Sequence, residues 1–265
     1  FFKFINNNDQ IFLRLCSGYA YTSQLSTLFL HPMYRMNGVG RFLSYARFLF
    51  MLLNRNRFFD DITVEMRGFR TNSGASLFFN RLIKPFLKMS LREADDQYLN
   101  GVDLIKNFPK KDICFNSLDL KLKHTCGQTH VNTTPALQLL KQSGFSYING
   151  IDIFDGGPKL QSHLFDIPIV NQAKRLSSLS DIASFSNQLM LACYGHGLSF
   201  KAGVCYSKNN HNSDLFNTYF KGMSHFYVTP LYADLLGNLK KDTSQKTFQN
   251  QFLSQLLSVK TVISK

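Results

Sequence analysis

Tryptophan is absent from the 265 residues, and the five cysteines, Cys16, Cys114, Cys126, Cys193 and Cys205, form no Cys-x-x-Cys pair. An odd, scattered set excludes a complete disulfide framework and a zinc ribbon, and leaves the thiols as reduced, mostly structural groups. No histidine stands at ligand spacing from a cysteine or carboxylate, so no metal is expected. Nor does any apolar run reach the roughly 20 residues of a membrane span: the longest, Phe42 to Leu53, is broken by Ser44 and Arg47. The start, Phe1-Phe2-Lys3-Phe4-Ile5-Asn6, lacks the charged, apolar and cleavage regions of a secretory signal. A cytoplasmic protein without a membrane role is expected.

Acidic residues are also scarce, 17 against 30 Lys and Arg, which gives a net charge of +13 and implies an anionic partner or simply a basic proteome. The basic residues are spread, and no homeodomain, zinc-finger or RRM pattern accompanies them, so nucleic-acid binding is not expected. Arg41, Arg47, Arg55 and Arg57 fall on or just after the helix predicted from Phe42 to Asn54, where they could meet the phosphates of a nucleotide-like molecule. A hydrophobic content of 44% suffices for one large domain or two smaller ones.

The stretch Tyr34-Arg35-Met36-Asn37-Gly38-Val39-Gly40-Arg41 lies between the apolar run Leu25 to Leu30, read as a strand, and that helix. Two glycines one residue apart allow a sharp turn, so that several N–H groups and the positive end of the helix converge on one anion. Further on, Asp61 to Gly68 reads as a strand and Ser76 to Leu87 as a helix that Pro85 should kink. The segment holding Glu93-Ala94-Asp95-Asp96 reads as irregular, and Thr125 to Val131 as a strand. A helix starts at Thr134-Pro135 and stops at Gly144, followed by a strand pair, Phe145 to Tyr147 and Ile151 to Phe154. Later strands are expected at Gln188 to Cys193, Leu198 to Cys205 and His225 to Val228, and a short helix at Thr229 to Leu236.

The spacing Arg35-x-x-Gly38-x-Gly40 resembles the pyrophosphate loop of the GNAT superfamily of acyl-CoA-dependent N-acyltransferases. Seven stretches then resemble the arginine N-succinyltransferase family in order and spacing: Leu25 to Arg35, Arg41 to Ser44, Val64-Glu65-Met66-Arg67-Gly68, Gly127-Gln128-Thr129-His130, Thr134-Pro135-Ala136, Ser143 to Tyr147, and Ile151-Asp152-Ile153-Phe154-Asp155-Gly156-Gly157-Pro158. The resemblance implies an α+β, GNAT-like acyltransferase domain over residues 1–175, lacking the family's N-terminal segment. It also implies a small C-terminal α+β subdomain over 176–245 and a polar tail over 246–265.

By the same resemblance the expected reaction moves succinyl from succinyl-CoA, a co-substrate rather than a prosthetic group, to the α-amino group of L-arginine. His130 matches the family's proton donor and Leu28 its succinyl-CoA contact. Arg35, Asn37, Gly38, Val39, Gly40 and Arg41 form the expected diphosphate loop. Aminolysis of a thioester needs an acid near the leaving sulfur, and a histidine can serve near neutrality. Glu65 and Arg67 read either as a substrate-facing pair or as a structural ion pair; Asp152 and Asp155 read either as ligands of arginine or as turn caps.

The chain departs from the family at Ser76-Leu77-Phe78-Phe79 and at Ile105-Lys106-Asn107-Phe108-Pro109, where an acid is replaced. The alternatives are an N-acyltransferase for another amine such as ornithine, which Lys106 favours, and a noncatalytic CoA-binding module. Homo- and hetero-oligomers are both compatible with the chain.

Overall fold

Asn8 and Asp9 both adopt left-handed backbone, φ 49° and 61°, the conformation a tight hairpin needs and one that Asn and Asp tolerate. They join β1 (Phe2–Asn7) to β2 (Gln10–Leu15) antiparallel, with Phe2 opposite Leu15 and Asn7 opposite Gln10. The computed structural model describes residues 1–16, 21–35, 38–178, 181, 182, 185, 189–206 and 225–231. After β3 (Ser23–Leu25) come α1 (Val39–Leu53), β4 (Asp61–Glu65), α2 (Lys84–Leu87), α3 (Leu91–Leu99), β5 (Ile113–Cys114), α4 (Leu120–Thr125), α5 (Thr134–Gln142), β6 (Ser146–Ile151) and β7 (Pro158–His163). Then follow α6 (Pro168–Asn171), β8 (Lys174–Leu176), β9 (Leu189–Tyr194), β10 (Lys201–Tyr206) and β11 (Phe226–Pro230).

Two compact units result, each assembled from two stretches of chain. The first, Phe1–Ser26 with Phe59–His163, carries a seven-stranded sheet in the order β3-β4-β7-β6-β1-β2-β5. It is mixed: β3 runs parallel to β4, and the other pairings are antiparallel. Its core gathers Phe2, Leu13, Phe78, Phe79, Ile83 and Ile151, all fully buried. The Phe2 ring meets Phe78 edge-on at 6.3 Å and Phe108 at 6.1 Å. Phe78 and Phe79, in one of the departing stretches, therefore serve the core, where aromatic pairs add to the burial energy.

The second unit, Thr27–Phe58 with Leu164–Lys265, carries the sheet β10-β9-β11-β8, with α1 packed on β9 and α6. Tyr45, Phe48 and Leu49 of α1 are buried, as expected of a core helix. The architecture is α+β. Among the described residues, no helix is long and apolar enough to cross a membrane.

Five local expectations change. The strand leading to the glycine turn stops at Leu25, since β3 pairs with β4 from Ser23↔Ile62 no further than Leu25↔Val64, and Leu28 lies outside it. Residues 91–99, read as irregular, form α3, because Ser90 accepts from the Glu93 N–H while Glu93 accepts from the Ser90 N–H; this reciprocal cap starts a helix despite a polar sequence. The Thr125–Val131 stretch forms one isolated bridge, Gly68↔Thr129, rather than a strand. Ser146 to Ile151 is one strand, and the partner is β7 beyond a turn at 152–157. Pro85 acts as expected: lacking an N–H and crowding the preceding turn, it follows a widened π turn at Phe79–Ile83. The helix expected at Thr229 to Leu236 begins instead as β11 and passes into residues outside those described, as does the polar tail.

Candidate active site

Three of the stretches that carry the resemblance meet in the first unit. Where β4 ends, Met66 donates its N–H to the Pro158 carbonyl at 3.0 Å. His130 donates its main-chain N–H to the Arg67 carbonyl at 2.8 Å, and Gly127 donates to the Gly156 carbonyl at 2.8 Å. The approach is closer than side chains allow. A Cβ on Gly157 would stand 1.9 Å from the Met66 carbonyl oxygen, and one on Gly68 would stand 2.2 Å from that of Asp155. The glycines of Asp155-Gly156-Gly157-Pro158 and Arg67-Gly68 are there because backbone packs on backbone.

His130 sits at this junction, half-buried, just before a short 3-10 turn at Val131–Thr133. Its Nδ1 accepts the Asn132 N–H at 3.1 Å, and its carbonyl accepts the Thr133 hydroxyl at 2.9 Å. An acceptor Nδ1 is unprotonated, which places the proton of the neutral ring on Nε2. The ring thus carries an Nε2–H group as a hydrogen-bond donor.

Beside the junction opens a cleft of about 1150 Å³, lined by the end of β4, by Ser76 and Asn80, by α3 and by the 152–155 turn. Its wall carries both signs of charge: Arg67, Arg70, Arg92 and Lys159 against Glu65, Asp95, Asp96, Asp152 and Asp155. Some of these neutralise one another. Lys159, almost fully buried, binds Glu65 at 2.5 Å, and the other Glu65 oxygen accepts from Gln24 at 2.8 Å; the partner of Glu65 is therefore Lys159, not Arg67. Arg70 approaches Asp155 at 3.8 Å. Asp95, Asp96, Arg67 and Arg92 remain to meet a ligand that bears charges of both signs. Lys106 pairs with Asp103 at 3.4 Å on the surface, and it is Ile105 that faces the cleft. The replaced acid thus leaves two carboxylates of α3 on the wall, which the Ser90-x-x-Glu93 capping signature could have placed.

Asp152 and Asp155 both cap the turn. The Asp152 Oδ1 accepts the N–H groups of Phe154 at 2.8 Å and Asp155 at 2.9 Å, and the Asp155 Oδ1 accepts that of Gly157 at 3.0 Å. Burial, then the charges of Asp155 and Glu65, push the Asp152 carboxyl up to about 7, against the opposing pull of the two N–H donors. A carboxyl raised in the folded state contributes stability that is full below the unfolded value and is lost as pH rises through the folded one. Asp152→Asn keeps the Oδ1 acceptor without the charge. It is expected to melt above the wild type at about pH 8, by on the order of a few kcal/mol, and to lose that advantage progressively toward about pH 4. Calorimetric Tm values across that range check this, and a pH-independent difference contradicts it.

The residues expected for the acyl donor lie in the second unit. Gly38 opens α1 at φ 86°, a left-handed conformation suited to glycine, and no side chain caps the helix there. The first N–H groups of a fifteen-residue helix thus start without a side-chain cap, beside the half-buried Arg41. Val39 is buried in the first turn. Among the described residues a Cβ on Gly40 would meet only the Leu30 side chain at 3.9 Å, an ordinary contact, so crowding by them does not explain this glycine. Arg35, exposed, turns its Nε back to the Leu30 carbonyl at 3.1 Å. Leu28 is 42% exposed. Asn37 lies outside the described residues. Among the described residues no cluster of histidine, cysteine or carboxylate could hold a metal.

The family model of the arginine N-succinyltransferase beta subunit matches residues 4–169. The chain belongs to this family. Similar curated relatives are the arginine N-succinyltransferases of Escherichia coli O6:H1 (strain CFT073) and of Escherichia coli strain K12 / DH10B. Each is 36% identical over 166 residues, which are 61% of this chain and 48% of the relative. The chain spans about half the length of the curated relatives it matches. Among solved structures, the arginine/ornithine succinyltransferase subunit AI from Pseudomonas aeruginosa shares the fold, with a TM-score of 0.67 at 20% identity over 88% of this chain and 72% of that one. The match to the arginine N-succinyltransferase beta subunit includes the whole junction and every residue of the cleft wall but Phe1.

Proposed function

We propose that the chain acts as an arginine N-succinyltransferase, moving the succinyl group of succinyl-CoA to the α-amino group of L-arginine. The observation that carries this reading is the junction of residues 65–68, 127–130 and 155–158 beside a cleft whose wall carries charged groups of both signs. Arginine carries an ammonium, a carboxylate and a guanidinium, and a wall bearing Asp95, Asp96, Arg67 and Arg92 complements all three. His130 is assigned as the proton donor to the leaving sulfur. Arg35, Asn37, Gly38, Val39, Gly40 and Arg41 are assigned to the diphosphate of succinyl-CoA, and Leu28 to its acyl arm.

Membership in a family whose relatives bear this name, and the open start of α1, support the assignment. The reading places the enzyme in the cytoplasm, working without a metal or prosthetic group and as one subunit of an oligomer, as the family description and the Pseudomonas neighbour suggest. Thiol release from succinyl-CoA tests it. Release should depend on arginine, with ornithine as a second acceptor, and should fall at least about tenfold with acetyl-CoA, which lacks the carboxylate. No amine-dependent release from any acyl-CoA refutes it.

A further inference from the structure

An amine that arrives as an ammonium ion has no lone pair, and with His130 assigned to the sulfur nothing yet takes the first proton. The cleft offers five carboxylates for that task. Glu65 is occupied on both oxygens by Lys159 and Gln24. Asp155 is held by the Gly157 N–H and lies toward Arg70. Asp95 and Asp96 sit on the exposed face of α3, where no main-chain N–H among the described residues fixes either side chain, although burial raises the Asp95 carboxyl against the pull of Arg70. Asp152 differs from all four. Its Oδ1 is fixed by two main-chain N–H groups, its Oδ2 has no hydrogen-bond partner among the described residues, and the residue lines the cleft.

We infer that Asp152 is the proton acceptor that turns the incoming ammonium group into the attacking amine. This rests on the acyltransferase reading. The surroundings suit the role. Asp155 on the same turn and Glu65 on β4 face Asp152 with like charge, while Lys159 on β7 pairs with Glu65 and offsets part of that charge. The outcome is a carboxyl that titrates near 7, able to take a proton at neutral pH and to release it afterwards.

The proton balance closes. The ammonium nitrogen gives one proton to the Asp152 carboxylate, and its lone pair forms the C–N bond at the thioester carbonyl. The C–S bond breaks, and the sulfur takes the Nε2 proton of His130 while the second nitrogen proton replaces it in the same step, so that the amide forms and the ring stays neutral throughout. Asp152 returns its proton to solvent. One amide, one thiol and one free proton result.

The test is the pH profile of arginine-dependent thiol release from succinyl-CoA, from about pH 6 to about pH 9, for the wild type and for Asp152→Asn, which retains the two turn hydrogen bonds. Wild-type kcat/KM should rise to a plateau above about pH 7. In the variant kcat should fall about 10²-fold or more at pH 7 and climb about tenfold per pH unit as solvent deprotonates the amine, with the KM for arginine little changed. A variant with the wild-type profile, or with a loss that is uniform across pH, overturns the inference and leaves the acyltransferase reading standing. A wild-type chain that releases no thiol removes both.

Discussion

Gly157→Ala is expected to cost the first unit at least about 3 kcal/mol, a large part of the 5–15 kcal/mol that holds a domain of this kind together. The added Cβ would lie 1.9 Å from the Met66 carbonyl oxygen and 2.7 Å from the Gly68 nitrogen. Both are backbone atoms, so no rotamer change relieves the clash. To make room, the 152–157 turn would have to lift from the end of β4, stretching the Met66-to-Pro158 and Gly127-to-Gly156 hydrogen bonds. Buried main-chain groups left unpaired add to the steric cost. Gly74→Ala separates crowding from conformation. Gly74, unlike Gly157, has positive φ, 81°, and nothing among the described residues stands within 4 Å of its Cβ position, so only the left-handed strain of about 1–2 kcal/mol applies. Denaturant midpoints measured on both variants should differ by more than that strain. Equal losses would mean that the junction yields without breaking.

The elements were readable where local chemistry decides them. An apolar run behind two glycines became α1, Pro85 distorted its helix, and Gly144 stopped α5 at φ 91°. The misses have physical causes. A polar sequence hid α3, whose stability at its start comes from a reciprocal cap rather than from an apolar stripe. The strand pairing around residues 145–160 was misplaced because Ile153 and Phe154 are buried in a turn, and burial alone resembles a strand in sequence.

The candidate site was half legible. The motifs at 64–68, 127–130 and 151–158 stood out singly, but sequence order carries no distance, and only the backbone contacts show that they form one junction. The charges of the cleft were harder still. Glu65 was readable as an anomaly on an apolar strand, yet its partner Lys159 lies on β7, on a register that no spacing rule reveals.

His130→Asn is expected to lower kcat for thiol release by about 10²–10⁴-fold while leaving the fold intact. The reasoning starts from the local bonds. Nδ1 accepts the Asn132 N–H, and the main chain is tied to Arg67 and Thr133, so this residue both caps a turn and presents a ring nitrogen. Asparagine can accept the same N–H through its side-chain oxygen, as it does at helix starts, but it cannot titrate near neutrality. His130→Ala removes both functions and should lose about 1 kcal/mol of stability as well. Chemistry and capping therefore separate. If His130 protonates the leaving sulfur, both variants are equally slow, and only the alanine variant melts earlier. If it is only a cap, the asparagine variant turns over at the wild-type rate. A better leaving group discriminates further: an acyl donor with an aryl thiol departs without protonation, so the deficit of the asparagine variant should shrink with such a donor while its Tm stays unchanged.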